Sequence, residues 1–159
     1  MVARRAQGDV PTDTALNPVQ IRLSRGMLAL NRFLMTLQNK RMPVASFTLG
    51  KDGGGMRATI LLDCPPESAR RYTALLSGLE DVEKIGAAEA PMEVALLKVG
   101  GEAWRDSAAR AGVKAHEDGE TVVASGEPET LEAWLDEIKD DLEDLVQLGP
   151  VARPRNGGV

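Results

Sequence analysis

One pattern, strand–helix–strand–strand–helix–strand, can be read twice along this chain, and it constrains the fold more than any single motif. The first copy runs from Pro18 to Ile85 and the second from Met92 to Val151. Repetition on that scale has to be settled before any motif is interpreted. Each copy specifies helices on one face of an antiparallel sheet, because only a crossover helix can return the chain to a strand running the same way.

The residues carry the pattern in order. Val19, Ile21 and Leu23 alternate with polar neighbours, as in a half-buried strand. After the Ser24-Arg25-Gly26 turn, Met27, Leu30, Phe33, Leu34 and Leu37 form one helical stripe ending near Lys40 and Arg41. Pro43 helps to end that helix. Ala45, Phe47 and Leu49 form a second strand, and Lys51-Asp52-Gly53-Gly54-Gly55 reverses the chain into Met56, Ala58, Ile60 and Leu62. Cys64-Pro65-Pro66 starts a helix with Ala69, Tyr72, Leu75, Leu76 and Leu79 buried, and Val82 and Ile85 mark a last strand.

Gly86 to Pro91 reads as the junction. Met92, Val94, Leu96, Leu97 and Val99 restart the cycle. A short helix then carries Trp104, Ala108 and Ala111, and Val113 and Ala115 lead to an Asp118-Gly119 hairpin. Thr121 to Ala124 return. Leu131, Trp134, Leu135 and Ile138 make an amphipathic helix, and Leu145, Val146 and Leu148 close the sheet. The expected fold class is α+β, two tandem ferredoxin-like βαββαβ sandwiches. The expected boundaries are a disordered tail over 1–17, units over 18–86 and 92–153, and an exposed tail over 154–159.

Composition narrows the function. Aromatics are only 3% of the 159 residues, which argues against a single-stranded nucleic-acid platform built on stacking rings. Residues 1–89 hold twelve Lys/Arg against nine Asp/Glu, and residues 90–159 hold seven against fifteen, so the negative charge is concentrated in the second copy. The single cysteine, Cys64, cannot form an intrachain disulfide, which fits a reducing compartment. No apolar run is long enough for a membrane span and no secretory signal is seen, so a cytoplasmic location is expected.

Catalytic and metal chemistry find little support. His116 is the only histidine and has no Cys/His cluster around it. A Cys64–His116 nucleophile pair would need two units to bring its members together. Gly50 to Gly55 lacks the Gly-Lys-Ser/Thr end and the following helix of a phosphate loop. The acidic series from Glu127 to Asp144 lacks calcium-loop spacing and reads as a solvated face. Ser24-Arg25-Gly26 is the most informative loop, since a helix N-terminus presents unpaired amides to a carboxylate and Arg25 would add a charged hydrogen bond.

Over residues 18–157 the chain resembles the small regulatory subunit of acetolactate synthase, a family that pairs an N-terminal ACT domain with a C-terminal ferredoxin-like domain. Ala29-Leu30-Asn31-Arg32-Phe33-Leu34 is similar to the family's Leu-x-Arg-hydrophobic helix start, Met56-Arg57-Ala58-Thr59-Ile60 to its Ser-Arg-Met-Thr-Ile strand, and Glu80-Asp81-Val82 to its Val-Asp-Val strand. Glu93 to Val99 resembles its second entry strand, and Leu145 to Arg155 its Val-x-x-Gly-x-Val-Ala-x-x-Arg close. The resemblance implies no catalytic residue, no cofactor and no metal in this chain. It implies a homodimer through the ACT domain, and an effector site at Ser24, Arg25, Gly26, Met27, Leu28, Pro43 and Val44 that takes a branched-chain amino acid.

The family's effector-loop Asn and Gly do not both survive. Counting back from the helix match places Arg25 and Leu28 there, whereas alignment on Gly26 keeps the glycine and puts Leu23 at the Asn. Pro43 replaces a second family Asn and offers no amide donor. Loss of such bonds weakens valine binding. The function implied is a regulatory subunit that binds the acetolactate synthase catalytic subunit, itself dependent on thiamine diphosphate, Mg²⁺ and FAD, with altered or lost valine sensing. The alternatives are a free-standing tandem ACT-like sensor and an acylphosphatase-like hydrolase using Arg25.

Overall fold

The structure is a computed structural model that describes residues 15–24 and 26–153. The first sheet contains β1 (Ala15–Leu23), β2 (Val44–Asp52), β3 (Gly55–Cys64) and β4 (Val82–Ala87), in the order β2-β3-β1-β4. The second contains β5 (Pro91–Val99), β6 (Lys114–Asp118), β7 (Thr121–Gly126) and β8 (Leu142–Ala152), in the order β6-β7-β5-β8. All the described pairings are antiparallel. Helices α1 (Met27–Asn39) and α2 (Pro66–Ser77) serve the first sheet. Helices α3 (Ala103–Ala111) and α4 (Pro128–Glu137), followed by a 3₁₀ turn at Lys139–Asp141, serve the second. Two tandem ferredoxin-like βαββαβ sandwiches are thus the architecture.

Each sandwich has its own core. Val19, Ile21, Leu23, Ala58, Ile60 and Leu62 of the first sheet meet Leu30, Phe33 and Leu37 of α1 and Ala69 and Leu76 of α2. In the second, Ala95, Leu97, Val122 and Ala124 meet Trp104 and Ala108 of α3 and Leu131, Trp134 and Leu135 of α4. The buried Trp134 indole N–H donates to Ser107 Oγ at 2.9 Å, and that hydroxyl donates to the Trp104 carbonyl at 3.1 Å. An otherwise orphaned polar group is satisfied in this way.

Several expectations are corrected. Residues 15–17 belong to β1 rather than to a tail, because the ten-residue β3 offers them partners, Ala15 against Cys64 and Asn17 against Leu62. The Asn17 amide also donates to the Cys64 carbonyl at 2.7 Å. Residues 1–14 and 154–159 lie outside the described residues. Met27 is 74% exposed and Leu34 is 40% exposed, so the α1 stripe is Leu30, Phe33 and Leu37 without them. Leu75 likewise leaves the buried face of α2. Ala45 is exposed because the β2–β3 register shifts between Val44 and Ser46, a bulge that takes Ala45 out of phase with Phe47.

The junction shrinks to 88–90, with Ala88 buried and its N–H donating to the Pro18 carbonyl at 2.9 Å. Val151 and Ala152, at the end of the second unit, are strand residues and half-buried. The reason is the packing between units. Thr59 and Leu61 point away from the first unit's helices, yet they are buried, because the end of β8 lies across that face. Ser46 Oγ donates to the Gly149 carbonyl at 2.9 Å, and the Ala152 N–H donates to Thr59 Oγ1 at 3.3 Å.

Candidate functional site

The candidate effector residues fall into two groups at opposite ends of α1. Gly26 is the N-cap, with φ +102° and ψ 159°, a conformation open to glycine. Its carbonyl accepts the Leu30 N–H at 3.3 Å, the first turn of the helix. No side chain caps that end and no acidic residue lies in its first turn, which leaves the first-turn amides toward solvent. Met27 and Leu28 project there, 74% and 65% exposed. Arg25, expected to add the charged hydrogen bond, lies outside the described residues.

Ser24 is held by its backbone, whose N–H donates to the Asp81 carbonyl at 2.8 Å. The Asp81 carboxylate in turn accepts both Arg32 Nε at 2.8 Å and Arg32 Nη2 at 2.7 Å. This fork–fork pair keeps the Arg32 guanidinium protonated to higher pH than usual, through hydrogen bonding and then charge. One aspartate therefore fixes both the loop before α1 and the outer side of α1. A shallow cavity of about 220 Å³ beside them is lined by Arg32, Phe33, Thr36, Leu79, Glu80 and Asp81.

Pro43 and Val44 sit at the far end. The Pro43 carbonyl accepts the Asp63 N–H at 2.8 Å, and the Val44 side chain packs against the first core. A 13-residue helix separates the two groups by about 20 Å along its axis. Within one chain the six of these residues that are described do not make one pocket. The helical stripe from Met27 to Leu37 already stood between the two segments in the sequence, but matching each segment to the family separately left that helix out of account.

The other candidates do not assemble. Cys64 is buried in the first core, where desolvation and then the charge of Asp63 raise its thiol pKa, whereas His116 is exposed on the second unit's edge strand. Gly53 and Gly54 turn a tight hairpin with Gly53 at φ +58°, as read from the sequence. Among the described residues no group of three or more His, Cys, Asp or Glu is placed to hold a metal ion, and no helix is long and apolar enough to cross a membrane. A second groove of about 400 Å³ lies between α3 and β6, lined by Trp104, Arg105, Ala108 and Val113. Arg105 stacks on the Trp104 ring at 4.5 Å and pairs with Glu102 and Glu117, so its charge is already engaged.

No protein-family model matches the chain, and no curated protein matches its sequence. Solved structures do match it. The regulatory subunit of aspartate kinase from Thermus thermophilus, in its ligand-free form, aligns with TM-score 0.48 and 13% identity, over 82% of this chain and 95% of that one. The small subunit of acetolactate synthase from Thermotoga maritima aligns with TM-score 0.72 and 15% identity, over 91% of this chain and 99% of that one. Across both units, this chain has the fold of that acetolactate synthase small subunit.

Proposed function

We propose that this chain is a non-catalytic regulatory subunit that binds the catalytic subunit of acetolactate synthase in branched-chain amino-acid biosynthesis. The observation that carries this reading is the likeness in fold over nearly the full length of both chains, covering both units in one alignment. The ordered motif resemblance points the same way from the sequence. The location is cytoplasmic, and the chain itself takes no cofactor.

The effector reading needs a second copy. β2 is an edge strand of the first sheet, and edge strands offer unpaired backbone groups to another chain. Antiparallel pairing of β2 with the β2 of a partner turns the partner's Pro43–Val44 end toward this chain's Ser24–Leu28 end. The two halves separated by α1 then meet across the interface. The ligand is an amino acid whose carboxylate meets the first-turn amides of α1, with Met27 and Leu28 facing its side chain. Pro43 supplies no amide donor, so valine is bound weakly or not at all.

The test is reconstitution with the acetolactate synthase catalytic subunit of the same organism, followed by titration with valine, leucine and isoleucine. Stimulation that valine reverses supports both halves of the proposal. Stimulation indifferent to all three keeps the subunit role and removes the effector role. No binding and no stimulation overturns the proposal.

A further inference from the structure

Among the described residues, nothing covers the outward face of the second sheet. Its cross-strand register lines up His116, Val123, Leu96 and Val146 in one row, and Lys114, Ser125, Val94 and Leu148 in the next. Residues opposite each other in an antiparallel sheet point to the same side, and Ala95 and Leu97 point the other way, into the core. Val146 and Leu148 close the sheet within β8, as read from the sequence, and are 49% and 52% exposed. The matching face of the first sheet is covered, since Thr59 and Leu61 lie under the end of β8. Contiguous uncovered apolar surface of this kind marks an interaction site.

We propose that this face is a two-fold interface with a second copy of the chain, with the dyad along the His116–Val123–Leu96–Val146 row. Charge selects this occupant and this axis. Residues 90–159 carry fifteen acidic against seven basic side chains, so most approaches between two such units are repulsive. The outward face carries both signs: Lys98 stands opposite Asp144 on the neighbouring strand, and Lys114 and Asp118 lie four residues apart on the same face of β6. An isologous contact must be complementary to itself. Lys114 and Asp118 lie on the same edge strand, two residues either side of His116, and neither makes an ion pair among the described residues.

Rotation about the row sets Lys114 of each copy over Asp118 of the other, while Leu96, Val123 and Val146 meet their own counterparts. It also sets Lys98 over Val94 and Asp144 over Leu148, where Lys98 and Asp144 keep each other as cross-strand neighbours. Rotation about the strand direction instead sets Asp118 over Asp144, like against like, which is unfavourable at an interface. This inference does not rest on the effector reading or on the catalytic partner.

Sedimentation velocity of the full chain over a range of concentrations tests it. Leu96→Glu, at the centre, removes one association step and leaves the melting curve unchanged at concentrations below the dissociation constant of that step. Lys114→Glu and Asp118→Lys each raise the dissociation constant of that step about tenfold, as for a charge paired at an interface rim. The double swap Lys114→Glu/Asp118→Lys restores it. Unchanged mass for Leu96→Glu at every concentration overturns the interface, and a double swap as weak as the single variants overturns the axis. If Leu96→Glu keeps its mass but loses an added acetolactate synthase catalytic subunit, the face belongs to a different protein and the inference is wrong. Failure to stimulate that enzyme, with self-association intact, removes the proposed function and leaves this interface standing.

Discussion

Ser46 Oγ donates a 2.9 Å hydrogen bond to the carbonyl of Gly149, joining β2 of the first sandwich to β8 of the second across 103 positions of sequence. With the Ala152 N–H on Thr59 Oγ1, it fixes how the two units sit. Under the proposed function the bond bears on regulation as well as stability, since an effector at the β1–α1 loop would reach the second unit only through elements with a defined arrangement between them.

Ser46→Ala and Thr59→Val are each expected to lower stability by about 1 kcal/mol, the usual net worth of such a bond plus part of the desolvation of the partner left behind. Urea titration checks the size. Because the two bonds brace one contact, the double variant should separate the unfolding of the two units, seen as a biphasic transition by circular dichroism. A single sharp transition at the wild-type midpoint would show that the contact is incidental.

Gly149→Ala should destabilise the chain by more than about 1 kcal/mol, because its φ of +122° is disfavoured for a residue with a Cβ. The added carbon would also meet the Met92 carbonyl at 3.0 Å and the Glu93 Cα at 3.2 Å, both backbone. Gly126→Ala meets nothing within 4 Å and has no positive φ, so it serves as the neutral control in the same thermal melt.

Leu30→Asp places an unpaired carboxylate in the first core, where Leu30 is 8% exposed. The expected loss of about 4 kcal/mol or more is enough to unfold that unit. Met27→Asp, one turn earlier and 74% exposed, should leave the melting temperature almost unchanged. Equal effects from the two would mean that the phase of α1 is wrong.

These two helix positions also show what the sequence could reveal. Where an apolar side chain has only one face to occupy, as Leu131, Trp134, Leu135 and Ile138 do, periodicity and burial coincide. Met27 and Leu34 are just as apolar and fit the same spacing within a residue, but they fall on the margin of the stripe, where periodicity does not discriminate. Val146 and Leu148 satisfy strand alternation equally well pointing outward. Ser46 and Thr59 carry no local signal at all, because their role depends on a strand 93 or more residues away. The candidate effector residues were legible as separate motifs on either side of a helix that the Met27–Leu37 stripe already marked, and the structure gives that helix its 13-residue length.

Ser107→Ala should be costly for a residue that loses only one oxygen. The substitution removes the acceptor of the Trp134 indole N–H, and both residues are buried. An unpaired buried donor costs about 1–3 kcal/mol. Ser107→Thr keeps the hydroxyl and should retain more of the stability if the added methyl is accommodated, as read by denaturant midpoint and by Trp fluorescence. An alanine variant as stable as the wild type would show that the bond contributes nothing net.

Glu93 provides a pH test with a definite sign. Burial, and then the nearby charge of Glu132, raise its carboxyl pKa above the ordinary 4.5. A carboxyl with a folded pKa above its unfolded value stabilises the fold while protonated, below the unfolded pKa. That contribution is lost as pH rises through the folded pKa, because the folded state then resists the charge. Glu93→Gln keeps the shape and removes the titration. The variant should therefore exceed the wild type in stability at pH 7, and the gap should narrow as pH falls toward 4.5. Glu132→Gln should produce a smaller gain of the same sign, since charge is the lesser of the two causes. Melting curves of the three proteins between pH 4 and pH 8 measure the effect, and a gap that widens toward acid would contradict the assignment.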